Sequence, residues 1–167
     1  MRVIAGAAKG HPLKAPRGSR VRPTSDLVRG AIFSMLEAMG VEWGRVLDLY
    51  AGTGAMGIEA LSRGAEWLDA VEQDSRNCAV IKDNLEHTGF SEEAKVHCCS
   101  TEKALSFLQG GFDLVFVDPP YADPDLPSAL RRLFSSKALT PRSTVVIEHS
   151  RRRALEGSYG GFHLTRK

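Results

Sequence analysis

The stretch DLYAGTGAMGIEALSRGA, residues 48–65, carries three glycines spaced G-x-G-x-x-G, at Gly52, Gly54 and Gly57. It begins within an apolar run, VLDLYA (46–51), and leads into a segment with helical spacing over 55–63. Glycine permits a tight turn and lets a ligand approach the backbone, so a strand, a glycine turn and a helix in this order predict a nucleotide-binding α/β unit.

Strand and helix patterns alternate along the rest of the chain. Apolar runs predict five strands, at 46–51, 67–72, 94–99, 112–118 and 143–149, with helices between them and a first helix from Thr24 to Gly40. This alternation predicts an α/β fold with a doubly wound, mostly parallel, Rossmann-like sheet. Such sheets bind ligands beyond the carboxyl ends of their strands, so residues 48–54, Glu72, Ser100 and 118–121 are expected along one edge.

Two acids near the glycine turn favour one kind of ligand. Glu72 ends the second predicted strand, where a carboxylate can accept hydrogen bonds from both hydroxyls of a ribose. Asp48 lies four residues before Gly52 and would repel a pyrophosphate, whereas it would attract an ammonium group. With Ala51 and Gly54, these residues favour S-adenosylmethionine over a nicotinamide or flavin dinucleotide. A loop-ordering role for Asp48 is the alternative interpretation.

The stretch FVDPPY, residues 116–121, predicts a site for a planar amine. An exocyclic amine on a nucleobase is a poor nucleophile because its lone pair is delocalised into the ring. Asp118 can accept one of its N–H groups and the carbonyl of Pro119 another. Pro119 and Pro120 have no N–H and fix φ, while Tyr121 offers a flat face for base stacking. We therefore expect residues 118–121 to be catalytic, with Asp118 also close to the cofactor. The alternative is an acidic strand end, a Pro-Pro turn and a tyrosine that covers the core.

The charge distribution predicts contact with nucleic acid. The net charge is only +2, but residues 1–30 carry seven basic side chains and one acid, and residues 151–167 carry five and one. An acidic body with two basic ends suits a polyanion, although basic ends are also compatible with simple solvation. The candidates for RNA contact are Lys14, Arg17, Arg20 and Arg22. Residues 1–23 are rich in Gly, Pro and basic groups, so they predict a basic arm or hairpin ahead of a main domain over 24–167.

Several classes of protein are disfavoured by composition. The chain is 43% hydrophobic and 25% charged, values typical of a soluble globular domain. It lacks an apolar run of membrane-spanning length and a secretory leader, so we expect a cytoplasmic protein. The three cysteines and five histidines show no metal-ligand spacing, and we expect no metal. A monomer is the default expectation, since nothing in the sequence sets the oligomeric state.

The order and spacing of four stretches resemble the RsmD-type family, methyltransferases that modify the exocyclic N2 of a guanine in small-subunit (16S) ribosomal RNA. The stretches are RPTSDLVRGAIFSML (22–36), DLYAGTGAMGIEALSRGA (48–65), VEQD (71–74) and FVDPPY (116–121). The resemblance implies a seven-stranded class I methyltransferase core, S-adenosylmethionine as donor and residues 118–121 as the catalytic clamp. It also implies that the segment around Arg22 and Thr24 folds over the cofactor and the RNA.

The chain departs from the family pattern at three places. Leu27 and Gly30 stand where the family usually has a basic residue and an acid, and Ser100 stands near the expected adenine contact. The family continues through a Tyr-Gly turn into a last strand, whereas this sequence stops at GFHLTRK. We therefore expect the last strand to be absent or incomplete, with an open sheet edge beside the fifth strand.

Three other functions compete with guanine-N2 methylation of ribosomal RNA. A DNA or RNA adenine-N6 methyltransferase would use the same clamp, although the chain has no room for a separate sequence-reading domain. A nicotinamide-dependent oxidoreductase would use the same glycine turn, but it leaves residues 118–121 and the basic ends unexplained. A non-catalytic RNA-binding module that retains the fold is the third.

Overall fold

Five parallel strands form the central sheet of this chain, which a computed structural model describes over residues 1–16, 25–120, 124–149 and 155–165. The strands are β1 (Arg45–Leu49), β2 (Trp67–Glu72), β3 (Ala94–Cys98), β4 (Leu114–Val117) and β5 (Thr144–Ile147). The helices are α1 (Asp26–Ala38), α2 (Ala55–Ser62), α3 (Ser75–Thr88), α4 (Thr101–Phe107) and α5 (Leu126–Phe134), with a short 3₁₀ turn at Ser91–Glu93.

The strand order is β3-β2-β1-β4-β5, and every neighbouring pair is parallel. The chain winds outward from β1 through β2 to β3 and then returns to the other side of β1 for β4 and β5. The winding therefore reverses between β1 and β4, the point at which such sheets open a ligand crevice. The doubly wound, Rossmann-like fold predicted from the sequence is confirmed.

Two apolar layers cover the sheet. On one face, Phe33 of α1, Ile58 of α2 and Ile81 of α3 pack with strand residues such as Leu68 and Phe116. On the other face, helices α4 and α5 pack against alternate strand residues. Burial on both faces explains why the central strands read as continuous apolar runs in the sequence.

Helix ends follow the capping signals of the sequence. Ser25 accepts a hydrogen bond from the Val28 N–H and caps α1, while Asp74 caps α3 in the same way. Gly89 ends α3 with a left-handed backbone, φ +82°. The last two helices end at Phe107 and Phe134.

Residues 1–16 form a hairpin that packs on α2. Arg2 and Pro12 make an antiparallel bridge, and Val3 and Leu13 are buried in the core. Gly6 has φ +81°, and a Cβ at this position would lie 1.7 Å from the carbonyl oxygen of Ser62. The basic segment predicted as an arm or hairpin is therefore a docked hairpin over its described residues.

A buried ion pair joins this hairpin to α1 and α2. The side chains of Arg29 and Glu59 are both 0% exposed, with Arg29 Nε 3.7 Å from Glu59 Oε2. Glu59 also accepts the Ile4 N–H at 2.8 Å and the Arg63 Nε–H at 2.8 Å, while Arg29 donates to the Arg2 carbonyl. Removing one partner of such a pair typically costs about 3–5 kcal/mol because the other charge remains buried.

The C-terminal part adds a small antiparallel hairpin, β6 (Ser158–Tyr159) and β7 (Phe162–His163). The Tyr159 ring stacks on Phe134 of α5, with ring centroids 4.8 Å apart. The chain thus contains the Tyr-Gly turn, at Tyr159 and Gly160, and a short strand after it. Within the described residues this hairpin is separate from the main sheet, and β5 is an edge strand of that sheet. The main sheet therefore has five strands, whereas the resemblance implied a seven-stranded core.

Candidate active site

Four carboxylates lie on one face of the sheet, at the carboxyl ends of four adjacent strands. They are Glu72 (β2), Asp48 (β1), Asp118 (after β4) and Glu148 (after β5). Asp48 is level with Phe116, and Phe116 is level with Val146. Side chains alternate along a strand and registered neighbours share a face, so residues two positions further along β4 and β5 point the same way. This is the face covered by α1, α2 and α3.

The glycine loop between β1 and α2 has a strained backbone. Gly52 and Gly54 have φ +56° and +77°, values that glycine adopts without cost. Tyr50 has φ +63°, the only such value at a non-glycine residue in the described ranges. A non-glycine residue in this region costs about 1–3 kcal/mol, and such residues concentrate at functional sites. Tyr50 could not be recognised from the sequence, because nothing in a strand pattern marks its conformation.

Glu72 holds the glycine loop in place. Its Oε2 accepts the Gly52 N–H at 2.9 Å, and its Oε1 accepts the Asp74 N–H at 2.8 Å. Each carboxylate oxygen can accept more than one hydrogen bond, so both oxygens keep acceptor capacity for a ligand. The acid predicted to bind ribose therefore also orders the loop.

Asp48 is buried beneath the loop. Its side chain accepts the Gly57 N–H at 3.1 Å, which is the loop-ordering role that the sequence left open. Burial raises the pKa of Asp48 to about 7; the Gly57 N–H opposes this rise, and the charges of Asp118 and Glu72 add to it. A cation placed beside Asp48 would therefore stabilise its ionised form strongly.

Asp118 lies beside a cleft between the sheet and the first two helices. The cleft is lined by Ile32, Met56, Phe116, Val117, Asp118, Val146 and Glu148. Asp118 is half-buried, Pro119 is buried and Pro120 is exposed. Asp48 is level with Phe116, two residues before Asp118 on the neighbouring strand, so the charge of Asp118 adds to the rise in the pKa of Asp48. The structure thus brings the acid of the predicted clamp next to the acid of the glycine turn.

Other predicted residues stand further from this cleft or outside the described ranges. Ser100 is exposed, and its Oγ accepts the Lys103 N–H at 3.3 Å as the cap of α4. Ala51 is buried, and its N–H donates to the Val71 carbonyl. Thr24, Tyr121, Arg17, Arg20 and Arg22 lie outside the described residues. Their proposed roles remain predictions.

Asn84 is a structural element of the site that sequence reasoning missed. It is 0% exposed on α3 and donates to the Thr53 carbonyl of the glycine loop at 3.0 Å. It also accepts the Lys14 N–H at 2.8 Å and donates to the Lys14 carbonyl at 3.1 Å. Asn84 thereby joins the loop to the end of the N-terminal hairpin. The available signal was a polar residue on the apolar side of α3, between Ile81 and Leu85.

Lys14 is the one RNA-contact candidate that the described residues include. Its Nζ lies 3.1 Å from Asp83, in an exposed pair of the kind that contributes little to stability. On α1, Leu27 is 83% exposed, so the position at which the family usually has a basic residue faces solvent.

No group of three or more potential metal ligands occurs among residues 1–16, 25–120, 124–149 and 155–165. None of the helices in these ranges is both long and apolar enough to span a membrane.

Comparison with known proteins identifies the family. Residues 1–167 match the family described as "Conserved hypothetical protein 95". The chain belongs to this family. A relative from Bacillus subtilis (strain 168), named "Putative rRNA methyltransferase YlbH", is 38% identical over 170 residues, which cover 100% of this chain and 92% of that protein. The "Ribosomal RNA small subunit methyltransferase D" of Escherichia coli (strain K12) is 32% identical, covering 89% of this chain and 74% of its own.

A solved structure shows the same architecture. "Putative methyltransferase yhhF from Escherichia coli" superposes with a TM-score of 0.82 at 31% identity, covering 93% of this chain and 84% of that one. The resemblance to the RsmD-type family is therefore confirmed. A methyltransferase with a Rossmann-like fold is the enzyme class that these findings support, ahead of an oxidoreductase.

Proposed function

We propose that this protein transfers a methyl group from S-adenosylmethionine to the exocyclic N2 amine of a guanine in small-subunit ribosomal RNA. The main structural support is the position of Asp118, which lines a cleft with apolar walls at the end of the strand next to that of Asp48. The names of two relatives specify ribosomal RNA methylation, one of them of the small subunit. The basic end of the chain, close to the same loop through Lys14 and Asn84, supports an RNA substrate.

The residues around the loop fit S-adenosylmethionine. Asp48 offers a buried carboxylate to an ammonium group, and Glu72 offers acceptors to a ribose. The same two acids would repel a pyrophosphate. When bound, the cofactor supplies a methyl group on a sulfonium, which transfers without a covalent enzyme intermediate. Thr24, Ala51, Gly52, Gly54 and Ser100 complete the proposed contacts.

Asp118 is proposed to act on the amine. As the guanine nitrogen forms its bond to the methyl carbon and the carbon–sulfur bond breaks, positive charge develops on the nitrogen. The carboxylate of Asp118 stabilises this charge more than the neutral ground state, and it can receive the proton that the nitrogen loses. Pro119 and Pro120 hold their carbonyl groups in position before the substrate arrives, and Tyr121 stacks on the base.

The RNA is proposed to contact the basic segment that follows the hairpin. Lys14, Arg17, Arg20 and Arg22 supply charges for phosphate groups, with no sequence information of their own. A guanine in a duplex must be flipped out, or already be unpaired, to reach a cleft of this kind. A cytoplasmic location and a monomeric state remain predictions of the sequence.

Transfer of labelled methyl groups tests the proposal. Purified protein is incubated with labelled S-adenosylmethionine and, separately, with small-subunit ribosomal RNA, assembly intermediates of the small subunit, and duplex DNA. Digestion to nucleosides should yield labelled N2-methylguanosine from RNA or particles only. Label on DNA alone, or on the N6 of adenine, would replace this proposal with the adenine-N6 alternative.

A further inference from the structure

We propose that Glu148 selects guanine at this site by accepting the N1–H of the target base while Asp118 accepts the neighbouring amine. The inference rests on the proposed function and adds a specificity-determining residue to it.

The backbone places Glu148 and Asp118 side by side. Val117 pairs with Ile147 at the end of the β4–β5 ladder, and the Glu148 N–H donates to the Val117 carbonyl at 2.9 Å. The next residues of the two strands are therefore Asp118 and Glu148. Adjacent strands lie roughly 5 Å apart, so two carboxylates on the same face stand within reach of one small planar ligand.

Both acids line the same cleft, and the rest of its lining is apolar. Ile32 of α1, Met56 of α2 and Val146 of β5 contribute to its walls. Apolar walls with a few convergent polar groups at one end are the usual composition of a small-molecule site. We infer that a base entering from the open side of this cleft would lay its faces against these walls and turn its hydrogen-bonding edge toward the acids.

The side chain of Glu148 has no structural role that its contacts in the described residues reveal. Asp48 and Glu72 both bond to backbone N–H groups, whereas within the described part of the chain no hydrogen bond or ion pair engages the carboxylate of Glu148. The carboxylate of Glu148 is therefore available to accept a hydrogen bond from a ligand.

The chemistry of the base edges gives the selectivity. Guanine presents N1–H and the N2 amine as adjacent donors, one for each carboxylate. Adenine presents its amine beside N1, an acceptor whose lone pair would face the second carboxylate. Glu148 is exposed and Asp118 is half-buried in the free protein, so the selectivity arises when a bound base covers them. A carboxylate that the base has removed from water without offering it a donor is left unpaired, which rejects that base by a large factor.

The substitution Glu148→Gln tests this assignment. RNA carrying the target guanine is compared with RNA carrying 2-aminopurine at that position, which keeps the C2 amine but has an unprotonated N1. We expect the wild type to prefer guanine by at least about 100-fold in kcat/KM. Glutamine can donate to the unprotonated N1, so E148Q should lower this preference at least tenfold.

A matched control is Glu92→Gln, since Glu92 is an exposed acid just before β3, at the opposite end of the sheet. E92Q should retain the wild-type preference. Equal losses on both RNAs in E148Q, with the ratio unchanged, would overturn the assignment, because a merely structural role moves both rates together.

Failure of the proposed function is recognised separately, since the wild type would then leave the N2 of guanine unmodified in every RNA. The selectivity is still testable by binding. With S-adenosylhomocysteine present, calorimetry measures the binding of guanosine monophosphate and adenosine monophosphate directly. Tighter binding of guanosine monophosphate by the wild type, with the difference reduced in E148Q, supports the assignment. Equal affinity of the wild type for the two nucleotides would refute it.

Discussion

The carboxylate of Glu72 accepts the backbone N–H of Gly52 at 2.9 Å, although the two residues are 20 positions apart. An acid at the end of β2 thus fixes the glycine loop that follows β1. The order of the loop and the capacity to bind a ribose depend on the same side chain.

Replacing Glu72 by Gln should therefore weaken cofactor binding. The amide offers one acceptor where the carboxylate offered two, so its NH₂ group must face the N–H of Gly52 or of Asp74. A lost or opposed hydrogen bond of this kind costs about 1–3 kcal/mol, and we expect roughly 10- to 100-fold weaker binding of S-adenosylhomocysteine by calorimetry. Glu86→Gln, at an exposed position of α3, is the control. Undiminished affinity in E72Q would show that the loop is ordered by other contacts.

Binding of a cofactor ammonium group should release a proton from Asp48. The pKa of Asp48 is about 7 in the folded protein, and a nearby cation would lower it. The affinity for S-adenosylhomocysteine should consequently rise as the pH increases from about 5.5 to about 7 and then level off. Calorimetry in buffers of different ionisation enthalpy measures the released proton, which should disappear in Asp48→Asn. Affinity that does not vary over this range would place the ammonium elsewhere.

The same pKa predicts how stability depends on pH. The pKa of Asp48 is raised from 3.8 to about 7, so the folded state binds an additional proton between these values. The contribution of Asp48 to stability is fully present below pH 3.8 and is lost as the pH rises through about 7. Denaturant unfolding at pH 5 and pH 8 should show a smaller decrease for Asp48→Asn than for the wild type. Parallel profiles for the two proteins would contradict the assignment.

Asp118→Asn should impair methyl transfer and spare cofactor binding. The amide cannot supply the negative charge that stabilises the developing charge on nitrogen, and loss of one electrostatic group typically costs about 10²–10³ in kcat. Single-turnover transfer to RNA measures the effect, and affinity for S-adenosylhomocysteine should change less than about threefold. Glu92→Gln serves as the control. Wild-type turnover in D118N would mean that Asp118 is not the catalytic acid.

Two glycines of the hairpin provide a matched test of its docking. Gly6 and Gly10 have φ +81° and +88°, so alanine is strained at both. A Cβ at Gly6 would lie 1.7 Å from the Ser62 carbonyl, whereas a Cβ at Gly10 would meet nothing within 4 Å. Gly10→Ala should cost about 1–2 kcal/mol in unfolding free energy, and Gly6→Ala at least about 2 kcal/mol more. Equal costs would show that the hairpin is not held against α2.

Neutralising Arg17, Arg20 and Arg22 should weaken binding to RNA and reduce its dependence on salt. Each phosphate contact contributes about 0.7–0.9 to the slope of log K against log salt, so three lost contacts should lower the slope by about 2–3. The control is a triple substitution of Lys95, Lys137 and Arg142, exposed basic residues at the amino end of the sheet. An equal change in slope for both triples would indicate non-specific charge effects only.

Local sequence patterns predicted the strands and helices of the sheet. They did not predict contacts between residues that are far apart in the sequence. The strand over 67–72 and the helix between Asp74 and Gly89 were predictable because apolar runs and caps are encoded within a few residues. Docking of the N-terminal hairpin was not, because its apolar residues are few and separated by glycine and basic residues. Its burial depends on the surface that α2 offers.

Some residues of the candidate site were predictable from the sequence and others were not. Asp48, Glu72 and Asp118 were predictable as an aligned set, since the ends of parallel strands meet at one edge. Asn84 contacts Lys14 across 70 residues, and no local pattern records that pairing. Glu148 required the register of β4 with β5, which becomes known only when the sheet is assembled.

The buried pair of Arg29 and Glu59 has a consequence for how two ligands influence each other. It fastens the hairpin and α1 to α2, whose first turn borders the glycine loop, and Asn84 adds a second link between loop and hairpin. In the proposed function the two ligands are RNA and the methyl donor. If the binding of RNA orders this shared unit, the methyl donor loses less entropy when it binds, and thermodynamic linkage makes the effect reciprocal.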